Sequence, residues 1–475
     1  METSNSPITS TADNSFRDRI STVDEKGKRI WIYPKKPFGK FYRWRTYVSW
    51  VLLGTLFIAP FIKINGKHLI LLNVIERKFV FFGKTFWPAD FHLFVIGMIT
   101  LIVFIVLFTV VYGRLFCGWV CPQTIFMEML FRKIEYWIEG DWKEQMALDK
   151  KKGTSEYYRK KGLKHLIFFL ISFHIANTFL AYIIGGEEVF KISTEPPSQH
   201  IAGLISILAF TGAFYFVFAF LREQVCTTIC PYGRLQGVLL DPDSMVVAYD
   251  YVRGEPRGKF RKNEDRQAAG KGDCIDCKQC VYVCPTGIDI RNGTQLECIN
   301  CTACIDACDF MMEKVGLPKG LIRYASERNI KEGTPFKLTT KAKAYTAILI
   351  ALIIAMTTLL VTRSDVETII NRAPGTLYQK TKNNKISNLY TYKIISKSDK
   401  EIPIEFKLLN INGVIKPIGN KIIANPETTT DGAMLVIIDP SELQSMKNKI
   451  KIGIYNKETG EEIETVKTTF MAPSK

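Results

Sequence analysis

The chain has 475 residues, with 63 Lys and Arg against 46 Asp and Glu, a formal net charge of +17, twelve cysteines and a hydrophobic fraction of 47%. That length exceeds one ordinary domain, and the long apolar runs described below exclude a purely soluble globule. So basic a balance would suit nucleic acid, but the Lys and Arg residues flank the apolar runs instead of forming one patch with interleaved aromatics, so the charge reads as membrane topology.

An arm, 1–45, ends in Lys35, Lys36, Lys40, Arg43 and Arg45. Five apolar stretches follow along the chain, 46–64, 92–112, 163–184, 201–221 and 344–361, each near the roughly 20 residues that cross about 30 Å of hydrocarbon. The first lies too far behind a polar arm to be a cleaved signal peptide. The sequence therefore predicts a polytopic α-helical membrane protein of five transmembrane helices, with a four-helix region at 46–222 and the fifth helix at 344–362.

Loop charge sets the orientation. Between the second and third stretches stand Arg132, Lys133, Lys150, Lys151, Lys152, Arg159, Lys160 and Lys161, whereas 185–200 offers only Lys191 against Glu187, Glu188 and Glu195. By the positive-inside rule the N-terminus and 222–343 are cytoplasmic and the tail lies outside, which in a bacterial inner membrane is the periplasm. The loop at 63–91, with Lys67, Arg77, Lys78 and Lys84, pulls the other way and is outvoted.

Two of the stretches end in the same motif. GRLFCGWVCPQTIFMEML (113–130) and REQVCTTICPYGRLQGVLL (222–240) each hold C-x3-C-P, giving Cys117 and Cys121, then Cys226 and Cys230. On one helix, residues i and i+4 have Cβ atoms about 5–6 Å apart, wider than the roughly 3.5–4.5 Å of a disulfide, so the pairs read as ligands and not crosslinks. The residue before proline avoids the α region and proline favours a helix's first turn. Cys121 and Cys230 are then expected at N-caps, where the helix dipole favours a thiolate. A lone cysteine in an apolar span is usually a packing residue; two matched pairs on one membrane face argue for a shared site. Soft thiolates select Cu(I), zinc or iron–sulfur. Zinc needs no electron source and a cluster usually takes C-x2-C spacings, while Cu(II) oxidises thiolates unless an electron arrives from elsewhere. Met127 and Met129 are weaker candidates, and His174, alone in mid-span, is weaker still.

The segment 223–343 carries the clearest chemistry. Cys274, Cys277, Cys280 and Cys284, with Pro285 next, read C-x2-C-x2-C-x3-C-P, and Cys298, Cys301, Cys304 and Cys308 repeat the spacing at a constant offset of 24. Three thiols of such a run take one [4Fe-4S] cluster and the fourth takes the other. Cys274, Cys277, Cys280 and Cys308 are thus assigned to one cluster, and Cys298, Cys301, Cys304 and Cys284 to the second. Cytoplasmic placement argues against disulfides and triple runs against zinc. Asp309 stands where a proline would repeat Pro285, which is expected to change the turn after Cys308. The Gly-rich, charged stretch 254–272 reads as a solvated approach.

After residue 362 the chain turns β-rich. NLYTYKIISK, IPIEFKLLNI, AMLVIIDP, NKIKIGIYN and EIETVKTTF alternate, with a hairpin turn at KETGEE, and strands this short and frequent suggest an all-β immunoglobulin-like domain at 363–475. It holds no cysteine.

GRLFCGWVCPQTIF, ICPYGRLQ, YDYVRGEPRGK, the double cysteine run, a fifth span and the β-rich tail together resemble the cytochrome c oxidase accessory proteins known as CcoG, FixG or RdxA, and the likeness covers almost the full chain. The inserted segment by itself resembles two-cluster bacterial ferredoxins. The family resemblance implies a cupric reductase that supplies Cu(I) for assembly of cbb-type cytochrome c oxidase. Its C-x3-C-P thiols would be Cys117, Cys121, Cys226 and Cys230, its cofactors two [4Fe-4S] clusters, and its partners copper-delivery proteins or oxidase subunits and a cytoplasmic electron donor, with no nucleic acid. Beside it stands a reading that needs no metal at those four thiols: a membrane electron-transfer subunit, similar to the ferredoxins of nitrate and nitrous oxide respiration, passing electrons between quinol or a soluble donor and a partner protein. A non-redox scaffold would leave the clusters without a purpose.

Overall fold

The computed structural model describes residues 22–473 except 24–25, 27, 65, 75–77, 87–89, 197, 263, 336–337, 365, 376, 382–383, 399, 420–421 and 427. The first 21 residues of the expected arm, and Arg77 of the 63–91 loop, lie outside the described residues. Two compact units emerge, Met1–Gly83 with Phe94–Ile354, and Lys84–Leu93 with Ala355–Lys475.

Among the described residues four helices are long and apolar enough to cross a membrane: Phe91–Tyr112, Ser155–Ile184, Ile201–Leu221 and Thr340–Val361. They coincide with the second to fifth expected stretches. The first, 46–64, is not among them. Helix α1 (Lys40–Ile58) begins six residues early, so Lys40, Arg43 and Arg45 occupy its opening turns. Pro60, in the turn Ala59–Phe61, ends it early, because a proline cannot donate to the helical ladder, and the chain is extended again at Lys63–Ile64.

Helix α2 (Phe91–Tyr112) hands over to the short α3 (Leu115–Trp119), then to a single turn at Pro122–Thr124, a π-helical run Ile125–Phe131 and α4 (Arg132–Ile138). Helix α5 (Ser155–Ile184) is capped by Thr154, whose hydroxyl accepts from the Tyr157 N–H, so the helix starts well before its apolar part. The span from Ile201 ends in a π-helical stretch Val217–Leu221, a second π stretch Val225–Ile229 follows, and α6 (Pro231–Leu239) starts at the proline.

The inserted segment is α+β. Strand β1 (Val246–Tyr249) pairs antiparallel with β2 (Ile322–Ala325), and α7 (Ala303–Lys314) follows the second cysteine run. It is held firmly to the membrane region. The Asp306 carboxylate on α7 accepts from the Phe41 and Tyr42 N–H groups at 3.1 and 2.8 Å, capping α1 from another element. Trp142 stacks on Tyr282 with ring centroids 5.2 Å apart. Among its described residues the stretch 254–272 is mostly exposed, as a solvated approach should be; Gly254 is buried, and Arg266 turns inward, is buried, and donates to the Gly258, Gly272 and Cys274 carbonyls.

Among its described residues the tail forms nine strands: β3 (Val366–Arg372), β4 (Gln379–Lys380), β5 (Ile386–Ser396), β6 (Ile402–Leu408), β7 (Gly413–Ile418), β8 (Ile423–Ala424), β9 (Thr429–Ile438), β10 (Lys447–Asn456) and β11 (Glu462–Met471). One sheet runs β7-β9-β5-β3 with β4 on β5, the other β8-β6-β10-β11. Period-2 alternation sends Tyr390, Ile394, Met434, Val436 and Ile438 from one sheet and Ile450, Ile452, Ile454 and Phe470 from the other into a single core, all fully buried. KETGE closes the β10–β11 hairpin at the expected turn.

Candidate functional site

Two cavities lie against the paired strands β1 and β2, one touching Tyr249 and Ile322 and the other Val247. Cys274, Cys277, Cys280 and Cys308 line the first, with Tyr249, Lys278, Arg291 and Met312. Cys284, Cys298, Cys301 and Cys304 line the second, with Val247, Ile288, Ile299 and Thr302, and Cys280 contributes to their common wall. The fold therefore gathers three thiols from one run and the fourth from the other in each cavity.

The backbone repeats with the thiols. Asp276, Lys278, Asn300 and Thr302 all sit at positive φ, 50°, 55°, 54° and 65°, and the second pair lies 24 positions beyond the first. A non-glycine residue pays about 1–2 kcal/mol in this region, and a β-branched Thr is a genuine outlier there. Alternating right- and left-handed residues turn backbone N–H groups to one side and form a concavity for an anion. A thiolate-ligated cluster is such an anion, so the strain has a use. In the first cavity Arg291 is steadied by Asp276 and Asp289, each at 2.6 Å. Four thiols at each cavity, in that backbone setting, fit the ligand complement of a [4Fe-4S] cluster.

The C-x3-C-P thiols form a separate group. Neither pair lies on one continuous α-helix, contrary to the i, i+4 expectation. Cys117 is inside α3, while Cys121 is extended (φ −57°, ψ 123°) and caps the next turn; Cys226 is in the π stretch, while Cys230 (φ −69°, ψ 111°) caps α6. The prolines cause this by barring the residue before them from the α region, and they place Cys121 and Cys230 at N-caps.

Both repeats meet at the thiols. The Thr124 hydroxyl of the first lies 4.0 Å from the Cys226 sulfur of the second. The Cys117 thiol donates to the Gln236 side-chain carbonyl on α6 at 2.9 Å, and the same oxygen accepts from Arg114 Nε at 3.2 Å. Burial pushes Cys117 up to about 11, opposed by Arg114 and reinforced by the charges of Cys121 and Cys230. Burial likewise pushes Cys226 up to about 12, with Cys121, Cys117 and Cys230 adding to it. Such thiols hold their protons unless a cation replaces them. Among the described residues no three His, Cys, Asp or Glu side chains stand in position to hold a single metal ion. Met127 and Met129 pack in an apolar core with Phe126, Phe131, Phe168 and Phe218 that holds no cysteine, and His174 stacks on Phe57 at 5.0 Å.

A buried ionic cluster, missed in the sequence, pins the two repeats together. Arg132 lies 3.0 Å from Glu128 and 3.8 Å from Glu223. Arg222 forks onto both Glu135 oxygens at 3.1 and 2.6 Å, Lys164 reaches Glu139 at 2.8 Å, and Arg29 reaches Glu223 at 2.8 Å. Glu128 follows Cys121 and Glu223 precedes Cys226, so the cluster fixes one motif against the other. Removing one partner from such a pair costs about 3–5 kcal/mol. Arg114 and Gln236 were also missed. Their signal was a charged and a polar residue beside thiols at the end of an apolar span.

Comparison with known proteins agrees with the inserted iron–sulfur segment and the β-rich tail, and adds an iron–sulfur family match over the segment of Cys117 and Cys121. Families described as a 4Fe-4S dicluster domain, a 4Fe-4S binding domain, and an IG-like fold at the C-terminal of FixG match residues 221–327, 94–143 and 356–473 respectively. The chain is 35% identical to protein RdxB of Cereibacter sphaeroides over 78% of this chain and 80% of that protein. It is 38% identical to the nitrogen fixation protein FixG of Rhizobium meliloti over 63% of this chain, and 37% identical to protein RdxA of C. sphaeroides over 62%. Those two matches span 58% and 62% of the relatives' own lengths, less than two thirds of either.

Proposed function

Because the chain belongs to the family of FixG, RdxA and RdxB, a family of iron–sulfur electron-transfer proteins, we propose that it is a cupric reductase whose product, Cu(I), serves the assembly of cbb-type cytochrome c oxidase. The observation that supports this reading is that the repeats carrying Cys117 with Cys121 and Cys226 with Cys230 touch each other, Thr124 of one lying 4.0 Å from the Cys226 sulfur and Cys117 bonding to Gln236 of the other, beside an iron–sulfur segment docked on the same helices. Cys274, Cys277, Cys280 and Cys308 would hold one [4Fe-4S] cluster and Cys298, Cys301, Cys304 and Cys284 the other. Such clusters, when bound, supply electrons one at a time. Copper is the substrate: Cu(II) gains one electron and becomes Cu(I), which prefers thiolate ligands. The chain's own part is to offer those thiolates. Cys117 and Cys226 release protons as the cation arrives, Gln236 ceases to be an acceptor for Cys117, and the buried Arg114 guanidinium offsets the new negative charge.

The loop charges support a bacterial inner-membrane protein with residues 222–343 in the cytoplasm, where the electron donor would dock, and the tail outside. This topology takes α1 and the turn after it as the remaining crossing, with Trp44, Tyr47, Trp50, Val51, Ile58 and Phe61 exposed on its outer face as apolar and interfacial residues for lipid. A reporter fused after residue 475 that is active only in the cytoplasm would reverse the assignment.

The chemical test replaces Cys117, Cys121, Cys226 and Cys230 by Ser together and verifies that bound iron is unchanged. Loss of Cu(II) reduction and of Cu(I) binding supports the reductase. Unchanged rate and stoichiometry remove the thiols from the mechanism and leave an electron-transfer subunit, which the absence of a ready single-ion site among the described residues would then explain.

A further inference from the structure

Gly118, between the two thiols of the first repeat, touches the second cavity's own loop. A Cβ built on it would stand 2.4 Å from the Ile299 carbonyl oxygen and 2.8 Å from that of Asn300, closer than real side chains ever come. Both atoms belong to the backbone between Cys298 and Cys301. Only a glycine lets two main chains approach this far.

The contact is braced from several directions. Arg45, buried on α1, donates from Nε to the Gly118 carbonyl at 2.6 Å. Trp119 donates from its indole N–H to the Tyr324 hydroxyl at 3.2 Å, and that hydroxyl donates to the Asn300 carbonyl at 3.3 Å. Arg114 reaches the Leu296 carbonyl with Nη1 while its Nε binds Gln236, the acceptor of the Cys117 thiol. Gly113 repeats the theme: a Cβ on it would meet the Met245 carbonyl oxygen at 2.8 Å and the Asn300 amide nitrogen at 3.3 Å. Four side chains, Arg45, Arg114, Trp119 and Tyr324, and two glycines converge on one backbone junction, far more than packing a five-residue helix needs.

We infer that Gly118, Arg45 and Arg114 are positioning residues that join the thiol site to the second cavity, so that Cys284, Cys298, Cys301 and Cys304, and not the Cys274 set, hold the redox group that serves it. The route is short. From Cys301 the covalent chain leads through Asn300, crosses one van der Waals contact to Gly118, and reaches Cys117 at the next residue. Electron transfer falls off exponentially with each ångström of through-space gap, so a junction with a single, tight jump is where rate is set. The inference rests on the proposed reductase for its copper arm and on the fold alone for its spectroscopic arm.

The test compares Gly118→Ala and Gly118→Val with the parent and with Gly212→Ala, where a Cβ meets nothing within 4 Å. Each full-length, iron-loaded protein in detergent is reduced with dithionite and its electron paramagnetic resonance spectrum recorded. The expected change is confined to the signal that Cys298→Ser removes, with bound iron unchanged. In the second arm the reduced proteins are mixed with Cu(II) and reoxidation is followed optically. Gly118→Ala should slow it several-fold and Gly118→Val further, with the copper concentration dependence unaltered and Gly212→Ala like the parent. A perturbed signal belonging to the other cluster, or parental spectra and rates in both Gly118 variants, overturns the inference. Should Gly118→Val not fold, Gly118→Ala and Arg114→Lys decide it in the same two arms. If the parent's reoxidation by Cu(II) does not depend on the four membrane thiols, the reductase reading fails, and the spectroscopic arm alone judges the junction.

Discussion

The two cysteine runs share every spacing and every left-handed residue, yet the chain leaves them in different ways. Before Cys284 only Gln279–Tyr282 is helical, and at Pro285 the backbone turns, with the Gly287 N–H bonded to the Cys284 carbonyl. In the second run α7 carries straight through Cys308 and Asp309 to Lys314. Asp309, expected to alter a turn, therefore has no turn to alter: it is inside a helix, and its carboxylate accepts from the Gly320 N–H at 2.8 Å. The continued helix brings Met312 to the first cavity, whereas Asp306, which caps α1, lies in the helical part that both runs share, at the position of Tyr282. A duplicated motif fixes where thiols go, and both runs touch the rest of their unit from the same position, Tyr282 and Asp306; the halves differ in whether the helix ends before the last thiol or runs on past it.

The sharpest break of the comparison is at the fourth cysteines. Cys284→Ser should remove about half of the bound iron, and the cluster lost should be that of the Cys298 run; Cys308→Ser should remove the other half. Iron analysis and resonance spectra of the two variants check it. Each variant damaging the cluster of its own run would mean that the thiols do not cross over.

Next in size is the residue after them. Asp309→Pro puts a proline inside α7, where it deletes a helical hydrogen bond and clashes with the preceding turn, for about 3 kcal/mol or more. Pro285→Ala, at a turn that other residues can adopt, should cost nearer 1 kcal/mol. Denaturant midpoints of the detergent-solubilised chain, read by loss of cluster absorbance, give both values. Equal losses would erase the asymmetry between the halves.

How much of this could be read from the chain follows from the range of the forces involved. The grouping of eight cysteines at two cavities was legible because the short-loop spacing that suits a cubane is local, and four candidate spans were legible because hydrocarbon demands length and apolarity within one segment. The sandwich showed itself through alternation and the turn at KETGE. What escaped is non-local. Residues Lys40 to Arg45 read as a polar flank because nothing nearby in sequence says that Asp306, some 260 positions on, caps their helix. Arg132 read as a topology signal because only Glu128 is near it in sequence, while Glu223 comes from the other repeat, and Arg222 finds its carboxylate, Glu135, 87 positions away. Gly118 carries no signal of its own within C-x3-C-P, since the carbonyls that require it lie in the second cysteine run. Proline gave part of the thiol geometry, the extended Cys121 and Cys230, but not the breaks that separate each from its partner.

The mildest probe uses the left-handed residues themselves, and it should give opposite signs in the two halves. Glycine at Asn300 relieves roughly 1–2 kcal/mol of backbone strain but deletes a buried amide whose oxygen accepts from the Val247 N–H at 3.2 Å and lies 3.5 Å from the Cys298 sulfur. An orphaned buried donor costs about 1–3 kcal/mol, and the added freedom of an unfolded glycine costs about 0.5–1 kcal/mol more, so Asn300→Gly should destabilise by about 1 kcal/mol. Lys278 has the matching φ with an exposed side chain at the rim of the first cavity. Lys278→Gly relieves the same strain, forfeits no buried partner, and keeps only the entropic cost, leaving a gain of up to about 1 kcal/mol. Thermal bleaching midpoints of the two variants should therefore move apart, Lys278→Gly upward and Asn300→Gly downward. A fall in both would show that the Lys278 side chain itself, and not merely its backbone, holds the first run in shape.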